Sequence, residues 1–144
     1  MRPFELQRID HVVLRVGDPE RSLAFYRDVL GCSLARRRDD LGLIHLRCGA
    51  SMIDLVDVHG KLGLAGGAAA GEQGRNVDHV CLRIEPFDEG ALVAHLAKHG
   101  LQPLGPAQDN FGAEGDGPSI YLRDPDGNTI ELKGPAAASR TIDR

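Results

Sequence analysis

The chain uses one short phrase twice. Ile9-Asp10-His11-Val12-Val13-Leu14-Arg15-Val16 returns as Val77-Asp78-His79-Val80-Cys81-Leu82-Arg83-Ile84. Asp, His, Val, Leu and Arg recur in the same order, and the other positions exchange apolar for apolar. A match this long implies a repeated structural unit. It extends beyond the phrase: residues 18–30, closed by Gly31, match residues 88–99, closed by Gly100. Further on, Ile44-His45-Leu46-Arg47 matches Ile120-Tyr121-Leu122-Arg123, and Ile53-Asp54-Leu55 matches Ile130-Glu131-Leu132. The polar mates are therefore His11 with His79, His45 with Tyr121, and Asp54 with Glu131.

Each copy reads as β-α-β-β-β. Val12, Leu14 and Val16 alternate with His11, Val13 and Arg15, the period of a half-buried strand. Asp18 is the expected N-cap and Pro19 the first helical residue. Leu23, Tyr26 and Leu30 follow at helical spacing, and Gly31 stands where a helix-ending glycine belongs. Strands are predicted over residues 33–38, 43–47 and 51–58. Residues 60–74, rich in Gly and Ala, read as a flexible linker. In the second copy Asp88 is the expected N-cap, and Asp124-Pro125-Asp126-Gly127 a tight turn. Residues 108–117, with several Gly and acids, read as a mobile loop at the mouth of a site.

The predicted fold is α+β: two tandem βαβββ modules whose curved mixed sheets surround a shared metal cavity. Module one covers about residues 8–58, the linker 59–75, module two 76–134 and a C-terminal tail 135–144. Face parity leads to the cavity. Where Ile130 and Leu132 face a helix-covered core, Glu131 points to the opposite face, and the same holds for Asp54 between Ile53 and Leu55. His11, His79, His45 and Tyr121 alternate with apolar neighbours in the same sense. If the two sheets pair by those faces, two His and two carboxylates converge. Imidazole and carboxylate together suit Zn, Mn, Fe(II), Co or Ni.

Composition narrows the partners. The chain has 144 residues and a formal net charge of -4, which speaks against a nucleic-acid binder. No apolar run is long enough to span a bilayer, and the N-terminal residues contain no signal-peptide core. Cys32, Cys48 and Cys81 are odd in number and lack Cys-x-x-Cys spacing, as in a reduced cytoplasmic protein.

These residues match a known pattern. Ile9-Asp10-His11-Val12, Phe25-Tyr26 and Val29-Leu30-Gly31 after Ser22, Val77-Asp78-His79-Val80, and Tyr121-Leu122-Arg123-Asp124-Pro125-Asp126-Gly127-Asn128 leading to Ile130-Glu131-Leu132 carry it. The sequence resembles the vicinal oxygen chelate superfamily: glyoxalase I, extradiol dioxygenases, fosfomycin-resistance transferases and bleomycin-resistance proteins. The resemblance spans about residues 9–133. It implies that His11, His79 and Glu131 are the ligands of one divalent metal ion per site. Asp54 falls where glyoxalase I-like enzymes place a fourth ligand, normally Glu. Being one methylene shorter, it is expected to tune the site rather than build it. Tyr121 matches a substrate-contacting tyrosine of the fosfomycin enzymes, and His45, its repeat mate, is a further candidate for substrate contact.

The activity implied is a metal-dependent lyase or isomerase of the glyoxalase I type. Its small substrate would chelate the metal through adjacent oxygens, and Glu131, Asp54 and Tyr121 are the candidate catalytic residues. The alternatives are an extradiol-type dioxygenase, a fosfomycin-resistance-like thiol transferase, and a metal-free small-molecule-binding protein like those of bleomycin resistance. Retention of the metal set argues against the last. Open strand edges and the habit of the family predict a homodimer.

Overall fold

The computed structural model of the chain describes residues 1–136. Most of the expected tail, residues 135–144, lies outside the described residues. The chain divides into two compact units, Met1–Gly71 and Glu72–Arg144. Among the described residues no helix is long and apolar enough to cross a membrane.

The first unit contains β1 (His11–Val16), α1 (Pro19–Ala24), β2 (Ser33–Arg38), β3 (Leu43–Cys48) and β4 (Ser51–Asp57). The second contains β5 (Val80–Arg83), α2 (Glu89–Lys98), β6 (Gln108–Gly112), β7 (Gly115–Arg123) and β8 (Thr129–Lys133). Each unit forms a four-stranded sheet, ordered β1-β4-β3-β2 in one and β5-β8-β7-β6 in the other. The first strand of each unit runs parallel to the last, and the other neighbours are antiparallel. The βαβββ repeat predicted from the duplicated phrase is thus present twice, with one strand order.

Local chemistry sets the helix boundaries. The Asp18 carboxylate accepts from the Arg21 N–H at 3.2 Å, and the Asp88 carboxylate from the Ala91 N–H at 3.1 Å. Each satisfies one of the amides that a helix start leaves without an intrahelical partner. Pro19 occupies the first turn as expected. Past Ala24 the helix widens into a π turn over Phe25–Val29, where Leu30 N–H bonds to Phe25 C=O at 3.3 Å. The widened turn buries the consecutive residues Phe25 and Tyr26, which meet edge to face. Gly31 and Gly100 close the two helices with φ of 83° and 72°, a region open to glycine.

Val16, Leu23, Tyr26, Ile44, Leu46, Ile53 and Leu55 form the core of the first unit, and Leu96, Ile120, Leu122, Ile130 and Leu132 that of the second. β4 and β8 are largely out of solvent on both faces. Asp54 lies buried between Ile53 and Leu55, and Glu131 between Ile130 and Leu132. Buried carboxylates are costly unless paired, so these two mark the faces where chemistry is to be sought.

Two segments differ from expectation. Residues 108–117 are not a loop: they form β6, a turn, and the start of β7, with Gln108 opposite Ser119 and Asn110 opposite Gly117. β6 is an edge strand, held by main-chain bonds to one neighbour, so its polar composition hid it. The start of the expected linker is also ordered. Gly63–Gly66 form a 3₁₀ turn, and Arg15 donates to the carbonyls of Gly63, Gly67 and Ala68. Arg15 thereby clamps this segment to β1.

Candidate functional site

The non-helix face of the second sheet is built in two rows by strand register. Cys81 on β5 pairs with Glu131 on β8, which pairs with Tyr121 on β7. One step along the strands, Arg83 pairs with Lys133 and Lys133 with Ser119. His79 precedes β5, two residues before Cys81, and so shares this face. His79, Cys81, Arg83, Glu131, Lys133 and Phe111 line a cavity of about 360 Å³, closed on one side by the β6–β7 turn. That volume suits a small organic ligand.

Glu131 is the centre of the upper row. Its Oε1 lies 3.1 Å from His79 Nε2. On the other side of the ring, His79 Nδ1 lies 2.8 Å from the Asp78 carboxylate. A carboxylate can only accept, so the Asp78 contact places a proton on Nδ1. Nε2 then has either its own proton or a lone pair turned toward an anionic oxygen. The second arrangement requires a cation between them. The 3.1 Å separation is that of an ordinary N–H···O contact and is also short enough for both atoms to serve as donors to one ion. Glu131 Oε2 is buried without an aligned hydrogen-bond partner among the described residues. A buried carboxylate oxygen without an aligned donor is costly; the Tyr121 hydroxyl and Cys81 thiol beside it, a cation or a substrate proton can each satisfy it.

Tyr121 and Cys81 flank the same carboxylate. The Tyr121 ring meets His79 edge to face at 5.6 Å. Burial, and then the negative charge of Glu131, raise the Tyr121 hydroxyl above its usual pKa. The same two causes push the Cys81 thiol up to about 11. Both groups are therefore protonated donors at neutral pH, facing an acceptor.

The first unit repeats part of this plan. His11 Nδ1 lies 2.8 Å from the Asp10 carboxylate, as His79 does from Asp78. That hydrogen bond is the main cause raising the His11 pKa, with the Asp54 charge a lesser one. Asp54, however, stands 3.1 Å from His45 Nδ1, its cross-strand neighbour, and not against His11. The approach lacks hydrogen-bond alignment, leaving Asp54 Oδ1 buried without an aligned partner. His45 thus stands by the carboxylate as Tyr121 stands by Glu131.

The structure therefore brings His79, Glu131 and Tyr121 together in one unit, and His45 and Asp54 in the other. Among the described residues, neither unit by itself gathers three His, Cys, Asp or Glu side chains into a metal-holding group. Sequence reasoning missed Asp10 and Asp78 as partners of the two imidazoles. Their signal was present: each directly precedes a His inside the duplicated phrase.

Residues 8–132 match the family described as Glyoxalase/Bleomycin resistance protein/Dioxygenase superfamily. Virulence protein STM3117 of Salmonella typhimurium is 30% identical over 127 residues, 88% of this chain and 83% of that protein. Its crystal structure superposes with a TM-score of 0.74, covering 92% of this chain and 100% of that one. Human mitochondrial methylmalonyl-CoA epimerase is 24% identical over 136 residues, 90% of this chain and 75% of that protein. The lactoylglutathione lyase of Agrobacterium tumefaciens shares the fold, with a TM-score of 0.65 at 22% identity, covering 92% of this chain and 96% of that one.

Proposed function

Because the chain belongs to the Glyoxalase/Bleomycin resistance protein/Dioxygenase superfamily, we propose that it is a metal-dependent lyase or isomerase that moves a proton on a carbon next to a carbonyl. The observation that carries this reading is Glu131: a buried carboxylate with one oxygen 3.1 Å from an imidazole nitrogen and the other without an aligned partner. His11, His79 and Glu131 are the proposed ligands of one divalent ion, whether drawn from one chain or from a pair of chains. A bound ion would supply Lewis acidity to two adjacent substrate oxygens, making the neighbouring C–H acidic.

The residues do the rest. Asp78 fixes the His79 tautomer and Asp10 that of His11. Glu131 Oε2 takes the proton from carbon and returns it to the same or the adjacent carbon, as a general base and then a general acid. The Tyr121 hydroxyl, on the same face, donates a hydrogen bond to substrate oxygen as negative charge grows there. Asp54 is the proposed tuning residue, beside His45. The relatives named methylmalonyl-CoA epimerase support a proton-moving reaction over an oxygen-consuming one. The three thiols stand without disulfides, in keeping with a cytoplasmic setting.

The test is solvent exchange in deuterium oxide with the metal-loaded chain. The probes are the hemithioacetal of methylglyoxal and glutathione, and a methylmalonyl thioester. Deuterium should enter at the carbon next to the carbonyl, and Glu131→Gln should slow this by about 100-fold or more. A hydroxamate, which mimics the charged intermediate, should still bind that variant. Catechol-dependent oxygen uptake with ring cleavage, and no exchange, would replace this reading by a dioxygenase.

A further inference from the structure

Lys133 is a lysine that the fold does not require. It is only 6% exposed, and lysine is seldom buried without a partner of opposite charge. Its ammonium donates to the Gly115 carbonyl at 2.9 Å. Among the described residues no carboxylate lies within ion-pair reach of it. Arg83, its neighbour on β5, is already engaged by Glu114 and Glu85. Lys133 is thus a buried cation lining the cavity of Glu131 and His79, with donors to spare.

The internal repeat supplies an independent comparison. In the first unit the register Arg15–Val56–Leu43 corresponds to Arg83–Lys133–Ser119 in the second. The same place in the same module is filled by Val56, buried and apolar. The second unit has exchanged Val for Lys and Leu for Ser at adjoining positions. It has also made room. A Cβ at Gly112 would come within 2.9 Å of the Lys133 side chain, and one at Gly117 within 2.9 Å of Nζ itself. Two glycines of the β6–β7 hairpin therefore cradle the ammonium.

We propose that Lys133 binds a second, anionic group of the substrate, which makes the substrate class small carbonyl acids carrying a further carboxylate. This rests on the reading that the substrate's paired oxygens gather at Glu131 and His79. Lys133 follows Glu131 by two residues on one strand, so the two side chains face the same way about 6.6 Å apart. An extended five-carbon dicarboxylate spans that step, with its chelating end at Glu131 and its distal carboxylate at Lys133. A charge-assisted hydrogen bond in a closed pocket is among the stronger polar contacts, and the Gly115 carbonyl leaves the ammonium two further protons to donate.

Isothermal titration calorimetry on the full, zinc-loaded chain tests this with two ligands. 2-Oxoglutarate and 2-oxopentanoate share the keto-acid end, and a methyl replaces the distal carboxylate in the second. The wild type should bind 2-oxoglutarate at least ten-fold more tightly. Lys133→Val, which borrows the repeat's own residue and so preserves the fold, should bring the two affinities together. Lys133→Arg should restore part of the difference. Melting curves check that both variants fold. Equal affinities in the wild type, a difference retained in Lys133→Val, or binding of neither ligand overturns the proposal. Turnover plays no part in this readout. A protein that discriminates through Lys133 but catalyses no exchange overturns the proton-transfer reading alone. One that exchanges deuterium without discriminating overturns the Lys133 subsite alone.

Discussion

His79 is held between two carboxylates: its Nδ1 lies 2.8 Å from Asp78 and its Nε2 3.1 Å from Glu131. One contact is local, between sequence neighbours, and the other crosses from the start of β5 to the centre of β8. The first sets the tautomer; the second places a buried anion against the remaining nitrogen. That nitrogen is suited to hold a proton or a metal ion, and the two compete.

Asp78→Asn and Asp10→Asn should each weaken divalent-metal affinity by about 10- to 100-fold, because a carboxylate behind an imidazole orients it and raises its basicity. Both aspartates lie at the surface, so melting temperatures should barely change. Competition titration with a coloured chelator at fixed pH measures the effect. Unchanged affinity in both variants would mean that the two contacts are incidental surface pairs.

Asp54→Ala should leave an occupied metal site with modestly lower affinity. Asp54 faces His45 at 3.1 Å, so its first effect is on that pair. Complete loss of metal on this substitution would make Asp54 an obligate ligand and bring the enzyme closer to glyoxalase I.

The cysteines should separate by pH. Cys32 and Cys48 share a hydrogen bond, which lowers the Cys48 thiol below its usual range and raises that of Cys32. Cys81, although its surface is exposed, is pushed up to about 11 by partial desolvation and by the charge of Glu131. Thiolate is the reactive form and its fraction rises with pH through the pKa. Iodoacetamide alkylation should therefore rise at lower pH at Cys48 than at Cys81, which remains slow at pH 8. Peptide mass spectrometry across pH 5–9 reads both. Faster labelling of Cys81 than of Cys48 at pH 7 would contradict the assigned environments.

Much of this was written in the duplicated phrase. The element order of each module, the helix caps and the polar mates follow from a repeat whose apolar positions alternate; the strand order within each sheet does not. The edge strand β6 was not legible, since Gln108, Asp109 and Asn110 carry no apolar alternation and pairing there is made by main chain. Nor was the departure of Asp54 from Glu131. Both are central-strand carboxylates in the sequence, but which neighbour each meets depends on side-chain length and on whether His45 or Tyr121 stands opposite. Lys133 reads in sequence as an ordinary strand-end lysine. Its burial depends on Gly112 and Gly117, which come from a different strand pair.

The chain should form a homodimer. Each sheet has two edge strands with one neighbour only, β1 and β2 in the first unit and β5 and β6 in the second, and an open edge is a ready template for pairing with a second copy. Light scattering at micromolar concentration should give twice the 15.5 kDa chain mass. A monomer at that concentration would contradict this.

The most direct test of the metal-site claim is elemental mass spectrometry of protein purified without a His tag or chelator, beside His11→Ala, His79→Ala and Glu131→Ala. The wild type should carry one divalent ion per site, and each variant should lose stoichiometric metal while keeping its fold by circular dichroism. A wild type that takes up none of Zn, Ni, Co, Mn or Fe(II), or a His79→Ala protein with full metal content, would contradict it.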